Sequence, residues 1–258
     1  MYKAGQLVSR AGNAVLAPVS LALARSLCFA TREDLLPDFR RAPETLASLP
    51  EPPTERQPGA DPSDPVSATL ARSLEWLGSA AHQLPIAELF DRLLAANAWN
   101  VLHYDLRKQD AWKVPVAQST DWLDVTHGLT FANAVRIQCT RFPRLWRQGL
   151  VQMACFAGRN HGHCDASLGE TAWLVPEPAP FLDRIHERLL DHGLRAPILS
   201  AHLIKTARAV EEELPTASPR THTLLLAALN RFFHSPLKQK HSRRLAHQAV
   251  QLVARDFA

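Results

Sequence analysis

The sequence contains few of the residues that mark nucleotide-binding loops and disulfide frameworks. Only ten of its 258 residues are glycine, and no G-x-G-x-x-G, Walker, H-E-x-x-H or G-x-S-x-G motif is present. A nucleotide cofactor is therefore not indicated. The four cysteines form no C-x-x-C or C-x-H unit, and scattered thiols of this kind are typical of a reducing compartment. We therefore expect a cytoplasmic protein.

Long apolar runs are also missing, which argues against a membrane-spanning protein. A charge-free run, 11–24, follows Lys3 and Arg10, but it is shorter than the about 20 residues that a membrane-spanning helix needs. It is similar to a signal-peptide core, yet Pro18 interrupts it and no clean small-residue cleavage site follows. We expect no membrane span.

The charge of the chain is only mildly basic. Lysine and arginine total 29 against 25 aspartate and glutamate, giving a formal net charge of +4. Part of the excess lies in residues 238–244, KQKHSRR. Because no recognised nucleic-acid motif accompanies this cluster, we interpret it as the solvated start of a helix and expect no nucleic-acid partner.

Apolar residues recur at helical spacing along most of the chain, and no run alternates in the way a strand does. We therefore predict an all-α protein: a multi-helix bundle with an apolar central helix and no significant sheet. Its predicted parts are an N-terminal helical segment, 1–49, a proline-rich linker or loop, 50–66, and a helical domain, 67–258. The predicted helices cover residues 5–30 with a break near Pro18, 66–77, 86–103, 120–141, 145–157, 181–192, 197–214, 221–233 and 236 onward.

The helix that contains residues 121–135, DWLDVTHGLTFANAV, is the predicted centre of the bundle. One side carries His127 with Phe131, and another carries a second apolar stripe. A helix that is apolar nearly all round usually lies in the middle of its bundle. His127 is therefore expected in or beside the core, either as a hydrogen-bonded structural residue or as a ligand.

Three histidines on separate helices form the leading candidate site. His103 ends one helix, His127 lies on the central one and His202 on a late one, and imidazoles from facing helices are how a bundle builds a metal site. Lys205 shares a face with His202. If buried, its amine would tend to be neutral and could react with CO2 to give a carbamate ligand. The alternative is a solvated Lys205 paired with Glu212.

Other sets of reactive residues are weaker candidates. His161, His163 and Cys164 offer three ligand types in one loop, but no partner motif supports a structural zinc site. Cys155 or Cys164 would need a base and an orienting group to act as a nucleophile, and the sequence places neither.

Four segments together resemble a known family. They are LHYDL at 102–106, DWLDVTHGLTFANAV at 121–135, GLVQMACFAGRN at 149–160 and AHLIKTARAVEEE at 201–213. They are similar to the helical C-terminal region of some bacterial Rieske-type iron–sulfur proteins and, more remotely, to the questin oxidase-like family. The most specific pieces are H-x-x-T-x-A-x-A-V from His127 and H-x-x-K from His202. The resemblance covers the chain from about residue 74 onward.

The resemblance implies an Fe(II) site held by histidines and a carboxylated lysine. Carried over by position, the metal ligands are His82, His103, His127, His202 and Lys205, of which His82 matches least well. Trp99 and Phe131 would wall the pocket. A Rieske cluster needs two Cys and two His ligands. Since the sequence has no C-x-H unit, electrons for an oxygenase would come from a separate Rieske or ferredoxin protein.

Three functions follow from these observations. The first is an iron-dependent oxidoreductase or oxygenase that acts with O2 on a small organic substrate. The second is a non-enzymatic helical module that docks a Rieske-type or other partner protein. The third is a haem protein with His127 as axial ligand. Convergence of the three imidazoles on one enclosed point would favour the first of these functions, and their separation would favour the second.

Overall fold

The fold is all-α, as predicted. The computed structural model describes residues 2–28, 39–50, 56–59, 62, 64–109, 120–191, 193–194, 197–237, 249–251 and 253–254. Within these ranges there is no strand, and the β pairing is an isolated bridge between Tyr104 and Cys164. The α-helices are α1 Tyr2–Ala11, α2 Leu16–Cys28, α3 Arg41–Ser48, α4 Leu70–Ala80, α5 Ile86–Leu102, α6 Leu106–Gln109, α7 Trp122–Arg141, α8 Trp146–His161, α9 Pro178–Leu190, α10 Pro197–Glu213 and α11 Pro219–His234.

The apolar helix with the most buried surface is α5. Every residue from 93 to 104 is buried, and the helix packs against α7, α8 and α11. Two asparagines in this run donate to carbonyl groups of α8: the Asn97 amide nitrogen to Met153 O at 3.3 Å and the Asn100 amide nitrogen to Ala157 O at 2.8 Å. Buried amides that are paired in this way fix how α5 and α8 lie against each other.

Helix α7 begins where its sequence supplies a complete N-terminal cap. The Asp121 carboxylate accepts from Leu123 N, and Asp124 accepts from Asp121 N, which forms a capping box. The predicted apolar stripe of Trp122, Val125, Leu129 and Ala132 is buried. The side that carries His127 and Phe131 is half-buried, so it faces the edge of the core.

Two helix boundaries differ from the predicted positions, and local features of the sequence explain the first. The break in the first helical segment falls at Gly12, whose φ is +72°, and not near Pro18. Pro18 lies in the first turn of α2, where a missing N–H costs no hydrogen bond. Helix α8 continues to His161, four residues beyond the predicted end at 157, so part of the predicted 158–169 loop is helical.

The helices before α4 differ in how many of their side chains are buried. No described side chain of α1 or α2 is buried. By contrast, Phe39, Ala42 and Leu49 around α3 belong to the core, and α3 packs against α4 and α8. Thus α3 is part of the main helical body.

The described residues of the proline-rich segment 50–66 contact the helical body. Arg56 pairs with Glu88 at 2.8 Å, and Arg220 of α11 pairs with Asp64. The predicted helix does not begin at 236, because residues 236 and 237 are not helical, although 249–251 and 253–254 are. The basic cluster 238–244 lies outside the described residues. None of the described helices is long and apolar enough to cross a membrane.

Candidate functional site

His127 of α7 and His202 of α10 meet directly. Their Nε2 atoms are 3.0 Å apart and their ring centroids 5.1 Å apart. His202 is buried, with 5% of its surface exposed, while His127 is half-buried. Two nitrogens that bind one metal ion at about 2.1 Å each, at right angles, also lie about 3.0 Å apart. The distance between the two Nε2 atoms is therefore compatible both with a hydrogen bond between the rings and with one metal ion bound by both nitrogens.

The backbone of α10 sets the tautomer of His202. Its Nδ1 lies 2.7 Å from Ile198 O, and because a carbonyl oxygen only accepts, Nδ1 carries the proton. The Nε2 lone pair of His202 then points at His127. A histidine whose second nitrogen donates to a carbonyl is the usual arrangement of a metal-binding imidazole. Without a metal, the same lone pair accepts the Nε2 proton of His127.

Lys205 lies close enough for its charge to act on both rings. Desolvation lowers the pKa of the half-buried Lys205 amine. The pKa of His127 falls to about 4, first because of desolvation and then because of the nearby Lys205 and His202. Desolvation and Lys205 also lower the pKa of His202, against the opposing effect of its Ile198 hydrogen bond. Both imidazoles are therefore neutral at neutral pH, which is the form that binds metal ions.

A group of polar contacts, which we call the brace, joins α7 to α10 beyond the histidine pair. Arg136 Nε donates to Glu213 Oε2 at 2.7 Å, and the Asn133 amide donates to Glu213 Oε1 at 2.8 Å. Arg136 also donates to Glu212 O at 2.7 Å. Glu213 is 1% exposed, so its carboxylate depends on these partners. The brace fixes the spacing of the two helices that carry His127 and His202.

His103 lies in a different environment. Its ring stacks on Trp99 with centroids 4.0 Å apart, Nδ1 lies 3.1 Å from Trp99 O, and Nε2 lies 3.5 Å from a Glu170 carboxylate oxygen. Desolvation lowers the pKa of this buried ring. His82, the remaining predicted histidine, is exposed. In the part of the chain that the structure describes, no three or more His, Cys, Asp or Glu side chains are grouped to hold a metal ion. The structure thus brings His127 and His202 into contact, with Lys205 near enough for its charge to lower the pKa of both rings, and His103 and His82 do not join them.

The two predicted pocket residues also occupy separate places. Trp99 stacks on His103, whereas Phe131 packs on Phe156 of α8 with centroids 5.0 Å apart. Phe131 is one helical turn from His127, so it shares the face that carries the histidine pair. A groove of about 380 Å³ lies between α9 and α11, and none of the predicted site residues lines it.

The two candidate cysteines, Cys155 and Cys164, pack inside the fold. Cys164 Sγ donates to Asn160 O at 3.3 Å, and burial raises the pKa of this thiol to about 12. Cys155 is buried in the core. A thiol that resists ionisation is a poor nucleophile and a poor metal ligand. In the same loop, the Asp165 carboxylate forms an ion pair with Arg107 at 3.0 Å.

Sequence reasoning did not identify the residues that orient the candidate site. Ile198 acts through its backbone carbonyl, and because every residue has one, the sequence does not mark this position. The brace did carry a signal: Asn133 and Arg136 lie on the helix predicted to be central, where polar side chains that become buried need partners. Their pairing becomes visible only when α7 and α10 are placed side by side.

Comparisons with known proteins do not add to this geometry. A search of protein-family models, of curated protein sequences and of solved structures found no match to the chain.

Proposed function

We propose that this protein is an iron-dependent oxidoreductase whose Fe(II) is held by His127, His202 and a carboxylated Lys205, and that it acts with O2 on a small organic substrate. The observation that carries the proposal is the 3.0 Å separation of the two Nε2 atoms, together with the Ile198 hydrogen bond that aims one lone pair into the gap. Iron as the metal and O2 as the oxidant are suggested by the resemblance of the sequence to questin oxidase-like proteins.

The donor set suits the metal. Two imidazoles and one carboxylate are the ligands of a large class of non-haem Fe(II) oxygenases. No described Asp or Glu joins the pair to form such a set, but a carbamate on Lys205 supplies the same kind of oxygen. The neutral amine attacks CO2, an N–C bond forms, and one proton leaves to water. The lowered pKa of Lys205 increases the fraction of amine that can react.

The protein contributes position and environment. The carbonyl of Ile198 holds the His202 ring, the brace holds α7 against α10, and Phe131 with Phe156 forms an apolar wall one turn from His127. Bound iron supplies the one-electron chemistry with O2 that side chains lack. Placing one oxygen atom in the substrate and reducing the other to water takes two electrons and two protons. A separate Rieske-type or ferredoxin protein is the proposed donor.

Metal analysis tests the proposal. Protein made without a histidine tag and supplied with Fe(II) and bicarbonate is expected to hold about one iron per chain. His127→Ala, His202→Ala and Lys205→Met should each lose most of it, while the control His234→Ala, at an exposed imidazole of α11, should retain it. Iron at full occupancy in His127→Ala, or none in the parent protein, would contradict the proposal.

A second prediction concerns the brace and can be tested by stability measurements, separately from the metal analysis. Glu213→Gln removes the charge that pairs with Arg136 and should lower the free energy of unfolding by about 1.5–3 kcal/mol. Because α7 and α10 would then be held less firmly, we expect iron affinity to fall as well. The matched control is Glu75→Gln, since the Arg41–Glu75 pair is about 60% exposed on both sides and should contribute little. Equal effects of the two substitutions on stability would argue against the brace.

A second candidate function is a helical docking module without chemistry. The position of His103 favours it, because this ring is already stacked and hydrogen-bonded inside the fold and does not join the pair. The His127–His202 contact is then an ordinary hydrogen bond between two neutral rings. In that case iron should not bind, and His202→Gln should change stability without changing any metal content.

A further inference from the structure

The α1–α2 segment, residues 2–28, differs from the rest of the chain in its charge. It contains Lys3, Arg10 and Arg25 and no aspartate or glutamate, and the first acidic residue of the sequence is Glu33. In the whole chain acidic and basic residues are nearly balanced, 25 against 29. A helical segment with charge of one sign is suited to a partner of the opposite sign.

The same segment exposes large apolar side chains. Leu7, Leu16, Leu21 and Leu27 are 50%, 47%, 72% and 63% exposed. None of the described residues of α1, α2 or the turn between them is buried, so this segment does not contribute to the core. The four leucines leave apolar side-chain area in contact with water, which is unfavourable.

Both helices are amphipathic. In α1, Ala4, Leu7, Val8 and Ala11 follow the i, i+3, i+4, i+7 spacing of one face. Arg10 lies off this face. In α2, Leu16, Val19, Leu23 and Leu27 form a stripe, and Arg25 is on the opposite side. Arg10 and Arg25 thus lie away from these two stripes, while Leu21, four residues before Arg25, lies on the basic side of α2.

We propose that the α1–α2 segment binds the surface of an anionic lipid bilayer. Basic amphipathic helices lie in the interface with their leucines among the acyl chains and their cations at the head groups. With 10 and 13 residues, α1 and α2 are too short to span a bilayer, so they lie along it. Nucleic acid would satisfy the cations but leave the leucines in water, and a neutral apolar partner would leave the cations unused.

The charges and the leucines make separate contributions. Each basic residue near an anionic bilayer strengthens binding about five-fold at physiological ionic strength, and the gain shrinks as salt screens it. Each leucine that moves from water into the interface contributes roughly ten-fold or more. Binding should therefore need both anionic lipid and the exposed leucines. The proposal is independent of the histidine pair.

The test is flotation of the full chain with lipid vesicles. We expect binding to vesicles of phosphatidylcholine with one quarter phosphatidylglycerol, and little binding to pure phosphatidylcholine. The variant with both Leu16→Glu and Leu27→Glu, two exposed leucines of the α2 stripe, should lose binding at least ten-fold. Arg10→Glu with Arg25→Glu should reduce binding to the anionic vesicles and flatten its dependence on salt.

The matched control is Leu190→Glu in α9, because Leu190 is 89% exposed but lies in the helical body. It should bind vesicles as the parent chain does. Circular dichroism of each variant checks that the body remains folded. The proposal is overturned if the parent chain binds neither vesicle, if Leu190→Glu loses binding as much as the α2 variant, or if the α2 leucines prove to hold two copies of the chain together without lipid.

Discussion

At the scale of single residues, the candidate site depends on which groups stay neutral. His127 and His202 lie 3.0 Å apart, a separation that suits one shared proton or a metal ion and becomes repulsive if both rings are charged. Burial is the largest cause that lowers the pKa of both rings, and Lys205 adds to it while its amine is protonated. The environment thus selects the ligand form of each histidine.

This neutrality predicts how stability depends on pH. Unfolded His127 should titrate near the ordinary pKa of 6.5, and folded His127 near about 4. Between these values the unfolded state binds more protons, so acidification from pH 6.5 to 4 lowers the free energy of unfolding, by about 2 kcal/mol from this residue. Urea denaturation across this range should show a shallower decline for His127→Gln than for the parent protein.

A control separates this effect from general acid sensitivity. His82→Gln removes an exposed imidazole and should follow the parent curve. If His127→Gln and the parent lose stability in parallel as the pH falls, the ring is not held neutral by the fold.

At the scale of helices, close crossings decide the architecture. Helices α4 and α8 pack together, and at the crossing a Cβ on Gly158 would lie 2.3 Å from Leu70 Cα and 2.7 Å from Leu70 N. These are backbone atoms, so they cannot swing aside as a flexible side chain can. Only glycine permits this distance between the two helices.

The crossing gives a sharp prediction. Gly158→Ala should lower the free energy of unfolding by about 2–3 kcal/mol, because the two helices must separate. Gly78→Ala is the control: Gly78 lies in α4, a methyl group added there would have nothing within 4 Å, and alanine should raise stability by about 0.5–1 kcal/mol. Chemical denaturation measures both. Equal responses would mean that the crossing is looser than described.

At the scale of the whole molecule, the residues before α4 divide into two groups. In α1 and α2 none of the described side chains is buried. By contrast, Phe39 and Leu49 are 6% and 5% exposed and lie in the core. In addition, Arg147 of α8 donates to Leu46 O at 2.6 Å. Stability should therefore depend on where a truncation falls.

Two truncations test this division. A chain that starts at residue 29, and so lacks α1 and α2 alone, should unfold at nearly the temperature of the full chain. A chain that starts at residue 51 also loses Phe39, Ala42 and Leu49 from the core, and its free energy of unfolding should fall by about 3–5 kcal/mol. Thermal melts followed by circular dichroism compare the three proteins. A large loss with the first truncation would show that α1 and α2 contribute to the fold.

The sequence alone determined the helical class, most of the helices and the face that pairs His202 with Lys205. These properties follow from local periodicity and from the N-terminal cap at Asp121, whose physics needs only neighbouring residues. Which histidines meet was decided by tertiary structure. The pairing of His127 with His202, the separation of His103 and the brace at Glu213 all depend on how α7, α10 and α5 are placed. That placement is set by non-local contacts such as the approach of α7 to α5 at Gly128, where an added Cβ would lie 2.3 Å from Asn97 Oδ1. No local pattern encodes such contacts.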